Sequence, residues 1–391
     1  IYRGEAEFTF LKFVEKLSKG QGVKSIRSLG FVESDVIYLN PLAPLPDLKK
    51  LPPKDYEIFD FQKMIDSKNG WVGLMASRGC PFSCSYCFNH LMVKQYRKDL
   101  QCSFKDLNYI RHFDIDLLIN EIKYLTKNYK NITMFIFDDD LFSYDKNFVK
   151  EFCKEYKKIC SLPFVINAHV SFFDEERAQY LSQANCKIIK FGVESGSERI
   201  RSKILNRHTK NEKIISAIDI AKKYNLHTSI FLMIGLPYEK DIDVMDTINL
   251  MAKAQPGRYR WTFFYPFPGT KSYDYSLKSG ALDEERMKQL TNFTDQSCLN
   301  FGDKHNLFLK KVGAIMPWFV NAKSNLQVAD FYKQKIDEIL AMDENEWDKI
   351  APTLRDQDKK ISQKFIDQGL SHYAIKYNRF MGVTSDYFLN E

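Results

Sequence analysis

Cys80, Cys84 and Cys87 stand in the run Ala76-Ser-Arg-Gly-Cys-Pro-Phe-Ser-Cys-Ser-Tyr-Cys-Phe88, directly after a short apolar segment, Trp71 to Ala76. Three thiolates on one tight loop can hold three irons of a 4Fe-4S cluster and leave the fourth iron open, whereas ferredoxins and structural zinc use closed sets of four ligands. The same spacing also serves a zinc half-site or thiols in a core. The other five cysteines, Cys102, Cys153, Cys160, Cys186 and Cys298, have no metal-ligand spacing. Cys153 and Cys160 lie seven apart on a predicted helix and are read as apolar thiols on one face.

The elements around the loop follow a strand and helix alternation. Strand-like runs occur at Trp71 to Ala76, Ile132 to Phe137, Phe164 to His169, Lys187 to Val193, His227 to Ile234 and Tyr259 to Phe264. Helix-period segments separate them at Ile115 to Tyr129, Asp145 to Cys160, Glu175 to Ala184, Asn211 to Tyr224 and Asp241 to Ala254. This pattern predicts an α/β fold with a parallel sheet and right-handed crossovers. Asp138 to Asp140, His169, Glu194 and Gly235 each follow a strand, so a curled sheet would bring them to one mouth, onto which the cysteine loop also opens.

The chain of 391 residues is 44% hydrophobic and 14% aromatic, enough to fill one large domain of roughly 200 to 250 residues with flanking regions. Lys and Arg number 57 against 50 Asp and Glu, a mildly basic and interleaved surface that does not indicate nucleic-acid binding. No stretch approaches about 18 continuous apolar residues, so no membrane span is predicted. A large chain without a disulfide framework points to a reducing, cytoplasmic setting. The first residue is Ile1, from which a truncated or processed start is expected.

Before the alternation, a helix is expected over Phe8 to Leu17 and weak strands over Lys24 to Val32 and Val36 to Leu39. The Pro-rich stretch Asn40 to Asp47, with Leu51-Pro-Pro53, marks a boundary. Three regions follow: 1–65, 66–280 and a helical 281–391. In the last, helices are expected at Glu284 to Leu290, Leu307 to Met316, Gln327 to Leu340 and Lys360 to Ile375, with Pro317 ending or kinking the second. Trp318-Phe-Val320, Phe301 and Phe308 are read as core before pocket lining.

Taken in order, the cysteine loop, the six βα units and the strand-end motifs resemble the radical S-adenosylmethionine (SAM) superfamily over about Trp71 to Gly280. Tyr86 falls at the aromatic position before the third cysteine, where the family's backbone contacts adenine; its side chain is read equally as a core aromatic. Phe137-Asp-Asp-Asp-Leu-Phe142 resembles the Phe-x-Asp-Asp-x-Phe segment of relatives that carry a cobalamin-binding domain. Asp139 and Asp140 are the functional candidates there, facing the donor's ammonium, beside a helix-capping use for one of the three acids. Phe191-Gly-Val-Glu-Ser-Gly-Ser197 resembles the family's Gly-x-Glu-Ser segment, which assigns Glu194 to the ribose or the amino acid end of the donor. Arg207 matches a basic position that pairs with the donor's carboxylate, with an exposed surface arginine as the alternative. Phe231-Leu-Met-Ile-Gly-Leu-Pro-Tyr-Glu239 resembles the fifth-strand segment that packs the adenine at Gly235, and Phe264-Tyr-Pro-Phe-Pro-Gly-Thr270 matches the sixth-strand ending.

The resemblance implies a partial (β/α)6 barrel with a helical C-terminal region, a 4Fe-4S cluster on Cys80, Cys84 and Cys87, and SAM at Tyr86, Asp139, Asp140, Glu194, Arg207 and Gly235. It further implies a small-molecule substrate and an electron donor such as flavodoxin or ferredoxin. Residues 1–65 resemble the end of a cobalamin-binding domain and its linker, without the Asp-x-His-x-x-Gly run that supplies a cobalt ligand in such domains. The implied chemistry is reductive cleavage of SAM to a 5′-deoxyadenosyl radical, with cobalamin-linked methyl transfer to an unactivated carbon as the leading outcome. Oxidation, cyclisation or rearrangement without methyl transfer is the next reading, and a non-catalytic zinc module is the reading of another class.

Overall fold

A computed structural model describes residues 1–292, 296–375 and 381–384. Six parallel strands lie side by side in chain order: β1 (Trp71–Leu74), β2 (Met134–Phe137), β3 (Phe164–Ala168), β4 (Cys186–Glu194), β5 (His227–Ile234) and β6 (Arg258–Phe263). All six match predicted runs to within a few residues. Along each strand one alternate set of side chains enters a large apolar core beneath the helices, for example Ile189, Phe191 and Val193 of β4 and Tyr259, Trp261 and Phe263 of β6. The opposite set faces the concave side, where function has room.

The sheet does not close. β1 is one edge, and beyond β6 two antiparallel strands extend the other edge: β7 (Tyr373–Ile375) and β8 (Met381–Thr384), with β8 against β6. The predicted helix over Lys360 to Ile375 is therefore wrong in its last part. The helix Leu354–Asp367 ends before Gly369, whose φ of +67° suits glycine. Tyr373 is then captured by the Asn321 amide, which donates to the Tyr373 carbonyl and accepts from its N–H, both at 2.8 Å. A three-residue strand completed by a distant asparagine leaves no periodic trace.

The rest of the C-terminal region is helical. Asp303–Lys323 runs through Pro317 with a kink at Ile315 (φ −138°, ψ 35°). Proline removes the hydrogen bond to the carbonyl four residues back, and here that carbonyl, on Gly313, accepts the Trp261 indole N–H at 2.9 Å. Trp318, Phe319 and Val320 are buried in the core, as read from sequence.

At the other end, Glu7–Ser18 is a helix with no buried residue, followed by the hairpin of Gly30–Glu33 with Val36–Leu39. Glu5 links this region to the sheet's mouth: its N–H donates to the Tyr96 hydroxyl at 2.8 Å and its carboxylate pairs with Arg78 (2.6 Å) and Arg111.

Candidate functional site

After β1 the chain makes a two-residue ribbon, Ser77–Arg78 against Arg111–His112, and enters the cysteine loop. Gly79 turns it: φ is +94°, and a Cβ there would lie 2.2 Å from the Tyr109 carbonyl oxygen. The loop is tied across the open sheet. Ser85 donates its N–H to the Leu205 carbonyl (3.1 Å) and its hydroxyl to the Ile204 carbonyl (2.5 Å), while its own carbonyl accepts from Ser272 N–H (3.1 Å). Asn206 donates to the Ser83 carbonyl at 2.9 Å, and Phe82 stacks on His169 with ring centroids 4.1 Å apart. These contacts join the edge strand's loop to the ends of β3, β4 and β6 and curl the sheet into a partial barrel.

Cys84 is buried, and Cys80 and Cys87 are half-buried. Burial pushes the Cys80 thiol up to about 12, and the neighbouring Asp140, Cys84 and Cys87 add repulsion. Burial likewise raises the Cys87 thiol. Among the described residues, no three His, Cys, Asp or Glu side chains converge as ligands of one metal ion do. Zinc with bonds of about 2.3 Å would draw its sulfurs to within about 4 Å of each other, whereas a cluster takes each thiolate on a different iron. Three thiols on one loop, with the Arg207 guanidinium at Cys84, fit the donor set of a cluster.

The structure brings four of the sequence-predicted residues together. Arg207 donates from Nη1 to the Cys84 sulfur (3.5 Å) and to the Tyr86 hydroxyl (3.4 Å), and the Tyr86 hydroxyl donates to Glu194 Oε1 at 3.0 Å. A second Arg207 nitrogen donates to the Gly192 carbonyl. Arg207 is therefore half-buried and engaged instead of an exposed surface arginine. Burial pulls its pKa down, but Tyr86, Glu194 and Cys84 outweigh it and the guanidinium stays charged. Burial also raises Glu194 above the usual carboxylate range, against the pull of Arg207 and Tyr86.

Glu194 owes its position to a local irregularity. The register between β4 and β5 slips between Gly192 and Glu194, and Glu194 sits at φ +70°, a conformation uncommon for a side chain of its kind. Its carboxylate folds back over Gly192, where an added Cβ would lie 2.5 Å from Glu194 Oε1. Beside Tyr86, an apolar cluster of Leu205, Leu236 and Phe264 covers the ends of β4, β5 and β6. Gly235 adjoins it at φ +73°, beneath Ser297 and Leu309.

The three aspartates after β2 divide by strand alternation. Asp139 is fully buried and accepts from the Ala76 N–H (3.1 Å) and the Ser77 hydroxyl, so its carboxylate secures the start of the cysteine loop. Asp138 and Asp140 line the opposite side, an open cavity of about 620 Å³ with Glu5, Glu7, Arg78 and Tyr109. Asp140 stands near Cys80 and Cys87, whereas the Tyr86, Glu194 and Arg207 group surrounds Cys84. Asp138, not singled out from sequence, was marked by its two-residue spacing from Asp140.

Glu239, also not singled out, secures the β5 end. One carboxyl oxygen accepts from the Gly235 N–H (2.6 Å) and the Leu236 N–H (3.2 Å), and the other is buried without a partner among the described residues. Burial raises its pKa from 4.5 to about 8, so it is protonated near neutrality. The folded pKa lies above the unfolded one, so stability from this group is full below about pH 4.5 and is lost as pH rises towards 8. Glu239→Gln keeps an acceptor and does not titrate. Its melting temperature relative to the parent should climb from about pH 5 to 8 and then level off; a difference independent of pH would show that Glu239 is ionised in the fold.

Comparison with known proteins agrees with this geometry. The family model for the radical SAM superfamily matches residues 74–251. Over this stretch the chain is similar to that superfamily, whose members work with a 4Fe-4S cluster and SAM. An uncharacterised methyltransferase of Pyrococcus horikoshii is 28% identical over 72% of this chain and 59% of its own length. Among solved structures, the radical SAM methyltransferase TsrM of Kitasatospora setae, with cobalamin and a [4Fe-4S] cluster bound, superposes with a TM-score of 0.57 at 15% identity over 69% of this chain and 54% of that one. The cobalamin-dependent radical enzyme OxsB, with aqua-cobalamin and SAM bound, gives a TM-score of 0.56 at 14% identity over 90% of this chain and 58% of that one. The chain thus spans little more than half the length of these relatives.

Proposed function

We propose that this chain is the radical-generating part of a radical SAM enzyme, with a 4Fe-4S cluster on Cys80, Cys84 and Cys87 and SAM beside it. The observation that carries this reading is the chain of contacts from the Cys84 sulfur through Arg207 and Tyr86 to Glu194, which sets a carboxyl group and a guanidinium next to the cysteine loop. Held by these three thiolates, a reduced cluster would supply the electron for reductive cleavage of SAM to methionine and a 5′-deoxyadenosyl radical, which would take hydrogen from the substrate.

The protein's own groups bind and orient. The Glu194 carboxylate accepts from the ribose hydroxyls or the ammonium of SAM, and Arg207 holds that carboxylate in place through Tyr86 while offering charge to the donor's carboxylate. The adenine lies at Gly235, with the buried apolar cluster of Leu205, Leu236 and Phe264 packed behind it. Asp140 faces the donor's ammonium from the other side of the loop, and Asp139 acts at one remove by fixing Ala76 and Ser77.

Methyl transfer to an unactivated carbon, with cobalamin held through residues outside these 391, is the outcome that the named relatives favour. In this reading residues 1–65 connect the barrel, residues 66–280, to the cobalamin-binding part, and the helices after Gly280 cover the mouth. The substrate is a small molecule, and a flavodoxin or ferredoxin supplies the electron. None of the eight cysteines is in a disulfide, which supports a reducing, cytoplasmic setting, and no helix among the described residues is long and apolar enough to cross a membrane.

The test is electron paramagnetic resonance of the reconstituted, dithionite-reduced protein. Addition of SAM should shift the cluster's signal, because the donor binds at the open iron. A signal indifferent to SAM would contradict the assignment.

A further inference from the structure

His169 follows β3 and has no task in the site described so far beyond its stack on Phe82 of the cysteine loop, with ring centroids 4.1 Å apart. Phe164, Ile166 and Ala168 of β3 enter the helix-facing core, and His169 continues the extended backbone at φ −114° and ψ 135°, so alternation turns its ring to the concave side. The residue is only 6% exposed. Its Nδ1 accepts from the Ser171 N–H at 3.1 Å and so caps the short turn Val170–Phe172. A ring nitrogen that accepts carries no proton, so the neutral imidazole holds its hydrogen on Nε2. Burial and then the charge of Arg207 hold the pKa down at about 3, which keeps the ring in this form through the neutral range.

Among the described residues the Nε2–H has no acceptor, since the hydrogen bond of this ring is the one at Nδ1. Capping the turn does not account for a histidine, because the side-chain oxygen of Ser, Asp or Asn does that task without adding a second donor. A donor on so buried a residue is unfavourable until something accepts from it. The cation felt at this ring is Arg207, which keeps further N–H groups beyond those given to Cys84, Tyr86 and the Gly192 carbonyl. Glu194, the acid of this group, is engaged by the Tyr86 hydroxyl. An imidazole N–H and a guanidinium side by side suit the paired oxygens of a carboxylate.

We propose that His169 is a further SAM-binding residue, whose Nε2–H donates to the carboxylate of SAM beside Arg207. This rests on the reading that SAM lies between the cysteine loop and Glu194. The carboxylate is the sole anion on SAM; the ammonium and the sulfonium are cations and accept nothing from an N–H. A neutral donor adds direction to the hold on that carboxylate without bringing a second full charge next to Arg207. Because the same ring stacks on Phe82, between Cys80 and Cys84, it ties the orientation of the methionine end to the loop that holds the thiols.

The experiment is equilibrium binding of SAM and of decarboxylated SAM, which keeps the sulfonium, amine, ribose and adenine, to the cluster-reconstituted parent, His169→Phe and His169→Asn. Phenylalanine keeps the stack on Phe82, asparagine keeps an acceptor for the Ser171 N–H, and both remove the donor at Nε2. Each variant should bind SAM about tenfold more weakly or worse and decarboxylated SAM within about twofold of the parent, at unchanged iron content. With two variants that spare different contacts, loss of the fold in one leaves the other to decide. Equal weakening of both ligands would mark a structural role and overturn the inference, as would unaltered SAM affinity. Either of those results leaves the proposed function standing, whereas a parent that holds its cluster and binds neither ligand would sink that function and this inference with it.

Discussion

Replacement of any one of Cys80, Cys84 or Cys87 by Ala is expected to reduce iron from about four per chain after reconstitution to below one, with loss of the broad visible absorption. With three protein ligands there is no spare: two thiolates leave two irons open to solvent and thiol. The loop itself should remain in place, because Ser85 and Asn206 anchor it independently of the sulfurs. The controls are Cys153→Ala and Cys160→Ala. Cys153 lies in the apolar core and Cys160 packs against it, so these variants should keep full iron content. Retention of four irons by a triad variant would remove the cluster assignment, and a halved content in the control pair would reveal a second cluster.

The second large effect is expected at Glu194. Glu194→Gln keeps a neutral acceptor for Tyr86 but removes the charge that faces the donor; loss of a hydrogen bond to a charged group, about 1.5–3 kcal/mol, corresponds to roughly 10- to 100-fold weaker SAM binding. Iron content should not change, since Glu194 does not touch the thiols. Glutamine is preferred to alanine because the residue sits at φ +70°, where a change of backbone preference would confuse the result. Tyr86→Phe should weaken binding by less, because it removes the bridge to Arg207 and leaves the carboxylate. Equilibrium binding of SAM to the reconstituted variants decides the matter, and affinity unaltered in Glu194→Gln would take Glu194 out of the site.

The six strands were legible because each is an apolar run of four to nine residues bounded by polar or turn residues, and the cysteine loop was legible because three thiols at short spacing are chemically distinctive. What joins them was not. Ser85, Ser272 and Asn206 tie the loop across the open sheet through backbone partners more than a hundred residues away, and a serine or asparagine in a loop carries no mark of such a task. Arg207 left a surface residue open as the alternative, since only the tertiary fold sets Cys84 and Tyr86 beside it. Asp139 is a different case. Period-two alternation after β2 places Asp138 and Asp140 on one face and Asp139 on the other, so the sequence already held the distinction between two cavity acids and one buried anchor. The kink in Asp303–Lys323 was expected from Pro317, but the use of the freed Gly313 carbonyl by Trp261 was not, because that partner lies 52 positions away.

The slip between Gly192 and Glu194 shows how the fold and the site depend on each other. A regular β4 would alternate Lys190, Gly192 and Glu194 down the lumen with no fold-back. The irregular end instead carries the Glu194 carboxylate over Gly192 to Tyr86, next to Cys84.

The most direct measurement of the central claim is product analysis after anaerobic reconstitution with iron and sulfide, reduction with dithionite and addition of SAM. The expected result is a brown protein with about four irons per chain that forms 5′-deoxyadenosine and methionine in equal amounts, and does neither when Cys84 is replaced by Ala. A colourless protein that retains zinc, or a fully loaded cluster that forms no 5′-deoxyadenosine, would contradict it.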